Sequence, residues 1–295
     1  MKLSYFDYKP NFGDSINPMI FNKYLPDFFD EKDDELFLGI GSIIGFKEFQ
    51  QAKKKIIFSS GFAYGKLPKL DSTYDIICVR GPRTAEILGI DKKLAITDGA
   101  ALISEFNFGE IKKDYDFSFM PHFDSEKWYP LEALCAEVGI HYISPSKDPK
   151  EIIKELLASK CLIAEAMHGA IIADALRVPW IPVKMYNQIN RFKWQDWGDS
   201  LNMNINFNEL EPLYTKKYAK YILHNKLNTE KDLFIKPTLE LYSIYQKHYL
   251  FKKVLRSLER TKLIQPQLSN PNILASKIEH LKERLEYVSS LYRTD

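Results

Sequence analysis

The sequence predicts an α/β protein made of two Rossmann-like domains that face each other across a cleft, with a helical extension at the carboxyl end. Two observations support this. Short apolar runs, each followed by a small or polar loop and a helix-like stretch, recur through residues 1–109. The same rhythm restarts at residue 116, after the charged connection 110–116. This alternation is typical of parallel strands joined by helical crossovers. We therefore predict domains at 1–109 and 116–190, followed by a lysine-rich helical extension at 191–295.

The individual elements follow from apolar runs and from helix boundary signals. In the first domain, strands are predicted at 3–6, 36–40, 55–59, 74–79 and 94–97, with helices at about 18–24 and 82–89. In the second domain, strands are predicted at 116–120, 140–143, 161–164 and 180–184, with helices at about 126–138, 149–159 and 169–176. Proline follows Gly81 and Asp148 at two of these helix starts, where its missing N–H costs nothing.

Composition excludes several classes of protein. With 41 basic and 39 acidic residues, the net charge is only +2, which argues against a nucleic-acid-binding surface. Cys78, Cys135 and Cys161 lie in separate apolar stretches, as buried free thiols do. The start of the chain lacks the apolar core of a signal peptide, and no apolar run is long enough to span a membrane. We therefore expect a cytoplasmic protein. Since no metal-ligand cluster is evident, we expect a mechanism without a metal or other cofactor.

The carboxyl end of the chain admits more than one interpretation. Residues 246–295 contain ten basic and five acidic residues. An apolar stripe within this segment falls at alternating four- and three-residue steps: Leu274, Ile278, Leu281, Leu285, Val288 and Tyr292. This spacing predicts an amphipathic helix. Packing within its own chain is favoured over a homo-oligomeric coiled coil, because fewer than three heptads rarely hold a dimer. The excess positive charge also leaves open a peripheral contact with the inner membrane face.

Polar and small residues cluster in the loops that follow the predicted strands. In parallel α/β sheets these loops converge at the carboxyl ends of the strands, where ligands bind. The candidate positions are Asn11, Gly13 and Asp14; Gly41 and Ser42; Ser59, Ser60 and Gly61; Arg80 and Arg83; Asp98; His122; and His168 with Gly169. Some of these have simpler explanations. Asn11 to Asp14 and Gly41-Ser42 could be tight turns, Asp98 could be a helix cap, and His122 could be a surface loop residue.

Two arginines flank the start of the helix that begins at Pro82. Arg80 is predicted at the strand end and Arg83 in the first helical turn. A cation there opposes the helix dipole unless an anion lies nearby. We therefore predict that Arg80, and less specifically Arg83, binds a phosphate or carboxylate guest. The alternative is a salt bridge between domains or on the surface.

His168 follows an apolar strand and opens an alanine-rich helix. The positive N-terminus of a helix favours a neutral imidazole, which can act as a base near pH 7. Gly169, directly behind it, permits close backbone approach. We therefore predict that His168 is catalytic, although a lone histidine is more often structural.

Taken in order, these segments resemble the polysaccharide pyruvyltransferase family, in particular its exopolysaccharide ketal-pyruvate branch. The resemblance covers roughly residues 1–200, and no single motif in it is specific. The matching segments are Asn11-Phe-Gly-Asp14 with Asn17-Pro18, Gly39-Ile-Gly-Ser42, Ser60-Gly61, Val79-Arg-Gly-Pro82, Asp98-Gly99, Pro121-His122, Met167-His-Gly169 and Lys193-Trp-Gln-Asp-Trp197.

The resemblance implies a glycosyltransferase-B-like pair of domains and phosphoenolpyruvate as the donor substrate. It also implies a product in which a pyruvate ketal bridges two hydroxyls of a capsular, exopolysaccharide or other cell-surface sugar. A lipid-linked form of this acceptor would lie at the inner membrane face. His168 and Arg80 fall on the family's motif histidine and arginine. On this reading Arg80 clamps the donor's anionic groups, and His168 acts as acid-base or contacts the phosphate. His122 assists, and Asp14 or Asp98 takes or orients the acceptor proton.

Two other functions remain open from sequence. One is a glycosyltransferase of the same build that uses a nucleotide-sugar donor, although the helix after the second-domain loop offers only Asp174, which lies too deep in that helix. The other is a non-catalytic assembly subunit of a polysaccharide biosynthesis system. The catalytic hypothesis requires that the Arg80 guanidinium and the His168 imidazole, from opposite halves of the chain, converge on one cavity.

Overall fold

The first sheet has four parallel strands in the order β1-β2-β3-β4. The structure is a computed structural model that describes residues 1–8, 11–227 and 232–292. The strands are β1 (Lys2–Ser4), β2 (Glu35–Leu38), β3 (Lys54–Ser60) and β4 (Tyr74–Val79). The helices of this half are α1 (Phe12–Ser15), α2 (Asn17–Tyr24) and α3 (Pro82–Leu88), followed by a 3₁₀ helix at Gly99–Glu105. β3 is buried on both faces, as the strands of a covered parallel sheet are.

The second sheet has five parallel strands in the order β6-β5-β7-β8-β9. They are β5 (Tyr115–Met120), β6 (His141–Tyr142), β7 (Ser159–Ala164), β8 (Trp180–Lys184) and β9 (Asn208–Glu209). The helices of this half are α4 (Leu131–Glu137), α5 (Pro149–Leu157) and α6 (Met167–Ala175). The expectation of an α/β chain with two parallel sheets is confirmed.

The remaining helices follow β8. They are α7 (Arg191–Ser200), α8 (Lys216–Leu227), α9 (Asp232–Tyr245), a π-helical turn at Gln246–Leu250, α10 (Phe251–Thr261) and α11 (Pro271–Tyr292). β9 lies in the part of the chain that was expected to be wholly helical. In the described part of the chain, no helix is long and apolar enough to cross a membrane.

Two predicted elements differ from the structure. Residues 94–97 do not form a strand, since only Ala95 makes a single parallel bridge with Val79. The helix expected over 126–138 is interrupted at Pro130, which lacks the N–H that a helix interior needs. The chain instead makes a 3₁₀ turn at Ser125–Lys127 before α4 begins.

The amphipathic helix predicted at the carboxyl end is α11, and its apolar stripe is buried within the chain. Leu274, Ile278, Leu281, Leu285 and Val288 are each at most 6% exposed. They belong to a core cluster that also contains side chains from β3, β7 and α6, so one core continues through both halves of the molecule. At the end of α11 the Tyr292 hydroxyl bonds Asp75 on β4. The stripe therefore packs within its own chain, and it is not available to pair with a second copy.

Candidate active site

A cavity of about 310 Å³ lies where the carboxyl ends of the two sheets meet. From the first sheet come the loops after β1 and β2, and from the second come those after β5, β7 and β8. Eight of the predicted site positions line it directly, the three glycines through their backbone: Asn11, Gly13, Asp14, Gly41, Ser42, His122, His168 and Gly169. Strand-end loops from both halves of the chain thus line one cavity.

His168 is held between the two halves of the molecule. Its imidazole packs so closely on Gly13 that a Cβ at that position would lie 1.7 Å from His168 Nδ1. On its other side, His168 Nε2 lies 3.6 Å from Asp98 Oδ2. Only glycine at position 13 lets the ring take this place. The buried carboxylate faces Nε2 and would stabilise a proton there, so Nδ1 is the nitrogen left to exchange a proton with a substrate. The pair can therefore accept and return a proton, with Asp98 stabilising the imidazolium.

Asp98 lies behind the cavity wall and is fully buried. Its Oδ1 accepts a 3.0 Å hydrogen bond from the Ala100 N–H and so caps the 3₁₀ helix, as one of the two sequence interpretations proposed. Burial alone would raise the pKa of Asp98. The proximity of His168, the charge of Arg80 and the hydrogen bond from the Ala100 N–H outweigh burial and leave this pKa below its usual value. Asp98 therefore stays ionised. It caps the 3₁₀ helix and also orients the His168 imidazole.

Asp14 lines the cavity, and its pKa is shifted in the opposite direction from that of Asp98. Burial raises its pKa to about 6, although the charges of His168 and Lys193 oppose the increase. Asn11 donates a hydrogen bond from its side-chain amide to Asp14 Oδ2. A carboxyl group with a pKa near 6 can gain or lose a proton near neutral pH, which is the property required of a general acid or base.

The raised pKa of Asp14 gives a prediction about stability. In the unfolded chain this carboxyl has its ordinary pKa of 3.8. Above about pH 6 the carboxyl is ionised in both states, and burying its charge destabilises the folded protein. Below about pH 4 it is protonated in both states, and this destabilisation is absent. We expect Asp14→Asn to increase the free energy of unfolding by up to about 3 kcal/mol near pH 7, and the gain to vanish near pH 4. Urea unfolding at the two pH values measures this.

Asp98→Asn is the matched control, because the pKa of Asp98 is lowered. We expect this variant to lose stability near neutral pH, since its ionised form is the one that folding favours. A loss of stability in Asp14→Asn at neutral pH, or a gain that does not depend on pH, would contradict the burial argument.

His122 lines the cavity as a neutral imidazole. Burial and then the nearby Lys193 lower its pKa to about 4. Its Nδ1 accepts a 3.3 Å hydrogen bond from the Asp124 N–H, which leaves the ring proton on Nε2 as a donor. His122 is therefore suited to donate a hydrogen bond to a substrate oxygen rather than to carry charge.

Glu165, which the sequence reasoning did not select as a site residue, holds the loops of the second sheet in place. Its fully buried carboxylate accepts hydrogen bonds from the His122 N–H at 3.0 Å, the Ser125 hydroxyl at 2.7 Å and the Met185 N–H at 3.0 Å. Burial raises the pKa of Glu165 and these donors oppose the increase. Gln188 completes the network by donating to Ser125 Oγ at 3.1 Å. The network fixes the position of His122 at the cavity wall.

Lys193 is the one lysine or arginine among the described residues that line the cavity. Its ammonium lies 5.1 Å from the centre of the Tyr64 ring and forms no salt bridge with a carboxylate in the described ranges. Its charge reaches both Asp14 and His122, whose pKa values it lowers. An unpaired cation at a cavity wall is available to an anionic ligand.

The amino end of α6 adds a second electropositive feature. Ala166, Met167, His168 and Gly169 all line the cavity, and no side chain caps this helix. The first N–H groups of a helix have no partner within the helix and carry its positive dipole. Together with Lys193, they make this wall of the cavity suitable for a phosphate or carboxylate.

Arg80 is not at the cavity wall, which corrects the prediction that it binds a ligand beside His168. The requirement that Arg80 and His168 converge on one cavity is therefore not met, and Lys193 is the cation at the wall instead. Its guanidinium is completely buried, one layer behind Ser42, whose hydroxyl it contacts at 2.7 Å from Nη1. Its Nε lies 3.1 Å from Asp196 Oδ2 on α7. The same carboxylate is the anion that stabilises the positive end of the α3 dipole. Asp196 Oδ1 accepts a hydrogen bond from the Thr84 N–H at 2.9 Å, and Oδ2 accepts one from the Thr84 hydroxyl at 2.7 Å.

Arg83 and Ser60 also lie away from the cavity. Arg83 Nε makes a 2.6 Å salt bridge to Asp199, the next turn of α7, and its side chain is 42% exposed. Ser60 is buried, and its hydroxyl bonds the carbonyls of Leu38 and Gly39. Arg83 therefore forms a salt bridge, which was the alternative to binding a ligand. Ser60 links β3 to the end of β2.

A family model described as polysaccharide pyruvyl transferase matches residues 4–185 of this chain. That range covers more than half of the 295 residues. The chain belongs to the polysaccharide pyruvyl transferase family. A curated relative, succinoglycan biosynthesis protein ExoV of Rhizobium meliloti (strain 1021), is 38% identical over 196 residues, which are 65% of this chain and 62% of the relative. The match thus spans less than two thirds of that relative's length. No solved structure matches.

The family match contains both sheets' cavity-lining loops up to the end of β8, including Asp14, His122 and His168. Lys193 and Asp196 lie beyond residue 185, on α7. In this family member, α7 therefore supplies the cavity's lysine and the counterion of Arg80 from outside the region of the family match.

Proposed function

We propose that this protein transfers the enolpyruvyl group of phosphoenolpyruvate to two hydroxyls of a glycan sugar, forming a pyruvate ketal and releasing phosphate. Family membership supports pyruvyl transfer. The observation that carries the choice of donor is the cavity, in which an unpaired lysine and an uncapped helix amino end face a buried His168–Asp98 pair. Phosphoenolpyruvate needs cations and N–H groups for its phosphate and carboxylate, and a proton donor for its methylene carbon.

The chemistry requires three proton transfers. A sugar hydroxyl attacks C2 of the donor and loses its proton, while C3 gains one and becomes a methyl group. Phosphate then leaves from C2 with the electrons of the C–O bond. A second sugar hydroxyl attacks the same carbon and closes the ketal, and its proton leaves with the phosphate. No oxidant or reductant is consumed.

The cavity residues can be assigned to these steps. In our proposal, Lys193 and the amino end of α6 bind the donor's anionic groups. His168, oriented and charge-balanced by Asp98, transfers the proton between the attacking hydroxyl and C3. Asp14, with a pKa of about 6, serves the second hydroxyl, and neutral His122 donates a hydrogen bond. The two sheets would then act as the halves of a glycosyltransferase-B-like enzyme, with donor and acceptor meeting between them.

A nucleotide-sugar glycosyltransferase is less well supported by the site. Asp174, the acidic residue that such an enzyme would need on the donor sugar, is 1% exposed and faces away from the cavity lining. Its carboxylate accepts the Trp180 indole N–H at 3.0 Å and the Ser269 N–H at 2.8 Å. Asp174 therefore stabilises the packing of the second sheet.

Donor binding tests the proposal directly. Since a hydrogen bond to a charged group contributes about 1.5–3 kcal/mol, Lys193→Met should raise the Kd for phosphoenolpyruvate about 10- to 100-fold. Isothermal titration calorimetry measures the Kd. Lys160→Met is the control, because that exposed lysine is already paired with Asp116 at 2.7 Å, lies at the amino end of β7 and is not among the cavity-lining residues.

We expect Lys160→Met to bind phosphoenolpyruvate like the unmodified protein. Titration with UDP- and GDP-sugars in parallel separates the two donor classes. Binding of a nucleotide sugar in place of phosphoenolpyruvate, or equal Kd values for the two lysine variants, would refute the proposed donor site.

A further inference from the structure

A second surface, on the long helical segment of the second half, combines exposed apolar side chains with unpaired cations. Leu241 and Ile244 on α9 are 69% and 58% exposed, and Tyr245 and Tyr249 are 50% and 55% exposed. One and two turns further on, α10 presents three exposed cations. We call this surface the basic-aromatic face and define it by Leu241, Ile244, Tyr245, Tyr249, Lys252, Arg256 and Arg260.

The opposite side of the same segment fixes the orientation of this face. Leu250, Val254 and Leu258 are each at most 8% exposed and pack into the core of the second sheet. Because the segment is anchored by these side chains, its outer residues cannot turn inward. The π-helical turn at Gln246–Leu250 lies between the apolar and the basic parts, and Tyr245 and Tyr249 stack across it with their ring centres 5.3 Å apart.

Charge pairing leaves the cations of this face free. Lys253 neutralises Glu211, and Glu209 is paired with Arg191 and Lys184. Lys252, Arg256 and Arg260 have no acidic partner in the described ranges. Residues 237–261 contain five lysines and arginines and only two glutamates. Tyr249, Lys252, Arg256 and Arg260 line one shallow concavity of about 450 Å³, so the aromatic and cationic groups form one surface. The same concavity is also lined by Glu209 and Glu211, both of which are paired with cations.

We propose that the basic-aromatic face docks this protein on a bilayer that contains anionic lipid. Leucine and isoleucine suit the boundary of the acyl region, tyrosine suits the headgroup layer, and lysine and arginine bind lipid phosphates. A surface that binds nucleic acid needs cations but no exposed aliphatic side chains, whereas this face carries both cations and aliphatic side chains. The apolar stripe of α11 is buried and cannot take this role. This inference does not depend on which donor the cavity binds.

Vesicle flotation of the full chain tests the proposal. We expect the protein to float with vesicles that contain phosphatidylglycerol and not with vesicles of phosphatidylcholine alone, and to lose binding as salt is raised. Each cation near an anionic surface contributes about 1 kcal/mol, so K252E/R256E/R260E should weaken partitioning at least 100-fold. L241S/I244S should weaken it about 10-fold or more through lost apolar contact.

The matched control is K66E/K69E/K93E, which makes the same change in net charge at exposed lysines on the first half of the molecule. All of these substitutions lie at exposed positions, and thermal unfolding checks that each variant folds. We expect the control to float like the unmodified protein. Equal losses in the two triple variants, no flotation at all, or binding to a soluble polyphosphate without binding to vesicles would each overturn the proposal.

Discussion

Replacing His168 with glutamine is expected to lower kcat for phosphate release from phosphoenolpyruvate and sugar acceptor by roughly a thousandfold. General acid-base catalysis by a positioned side chain contributes about 10²–10⁴-fold, and His168 is the group that the fold places between Asp98 and Gly13 at the cavity wall. Glutamine keeps a hydrogen-bonding side chain of similar reach but cannot exchange a proton near neutral pH. The Kd for the donor should change much less than kcat.

Two measurements accompany the rate. Thermal unfolding shows whether His168→Gln remains folded, and calorimetry with phosphoenolpyruvate shows whether the cavity still binds its donor. Asp98→Asn provides a graded comparison, since it keeps the imidazole and removes the charge that stabilises its protonated form. We expect its activity to lie between those of His168→Gln and the unmodified protein. Activity of folded His168→Gln within about fivefold of normal would rule out proton transfer by this residue.

Replacing Asp196 with alanine is expected to destabilise the protein by about 3–5 kcal/mol. The substitution leaves the Arg80 guanidinium buried without its counterion and removes the acceptor for the Thr84 N–H and hydroxyl. Asp196 also ties α7 to the start of α3, so α7, which carries Lys193, should lose its fixed position. Urea unfolding measures the free energy of unfolding.

Asp199→Ala is a closely matched control. It removes the other ion pair between the same two helices, but Arg83 and Asp199 are 42% and 34% exposed, and exposed pairs contribute about 1 kcal/mol or less. The two variants thus differ mainly in burial of the pair. If Asp196→Ala costs no more than Asp199→Ala, the buried network does not have the structural role assigned to it.

The sequence predicted the site most accurately where the argument concerned strand ends. Asp14, His122 and His168 each follow a strand of a parallel sheet, and parallel strands bring the loops at their carboxyl ends to one edge. That rule needs only the order of strands and loops, and it holds for both sheets. The rule does not say how deeply a side chain is buried. Asp98 follows residues 94–97, which do not form a strand, and it lies behind the cavity wall. The sequence therefore predicted its proximity to the site but not its burial.

The prediction for Arg80 shows why side-chain partners could not be read from sequence. The dipole argument correctly required an anion at the start of α3. The anion is Asp196, 116 residues away along the chain, and neither residue carries a local signal of the other. The same limit applies to Lys193, which reaches the cavity on α7 because that helix packs back on the first half. The spacing of the α11 stripe predicted an amphipathic helix, but its burial against both halves depends on the tertiary fold.

The central claim is that one cavity between the sheets binds phosphoenolpyruvate. A crystal structure of the protein with phosphoenolpyruvate, or with an analogue that cannot react, tests it most directly. The account predicts electron density for the ligand in this cavity, with its anionic groups at Lys193 and the amino end of α6 and its methylene carbon facing His168. Density for the ligand at any other place, with the cavity empty at saturating concentration, would contradict it.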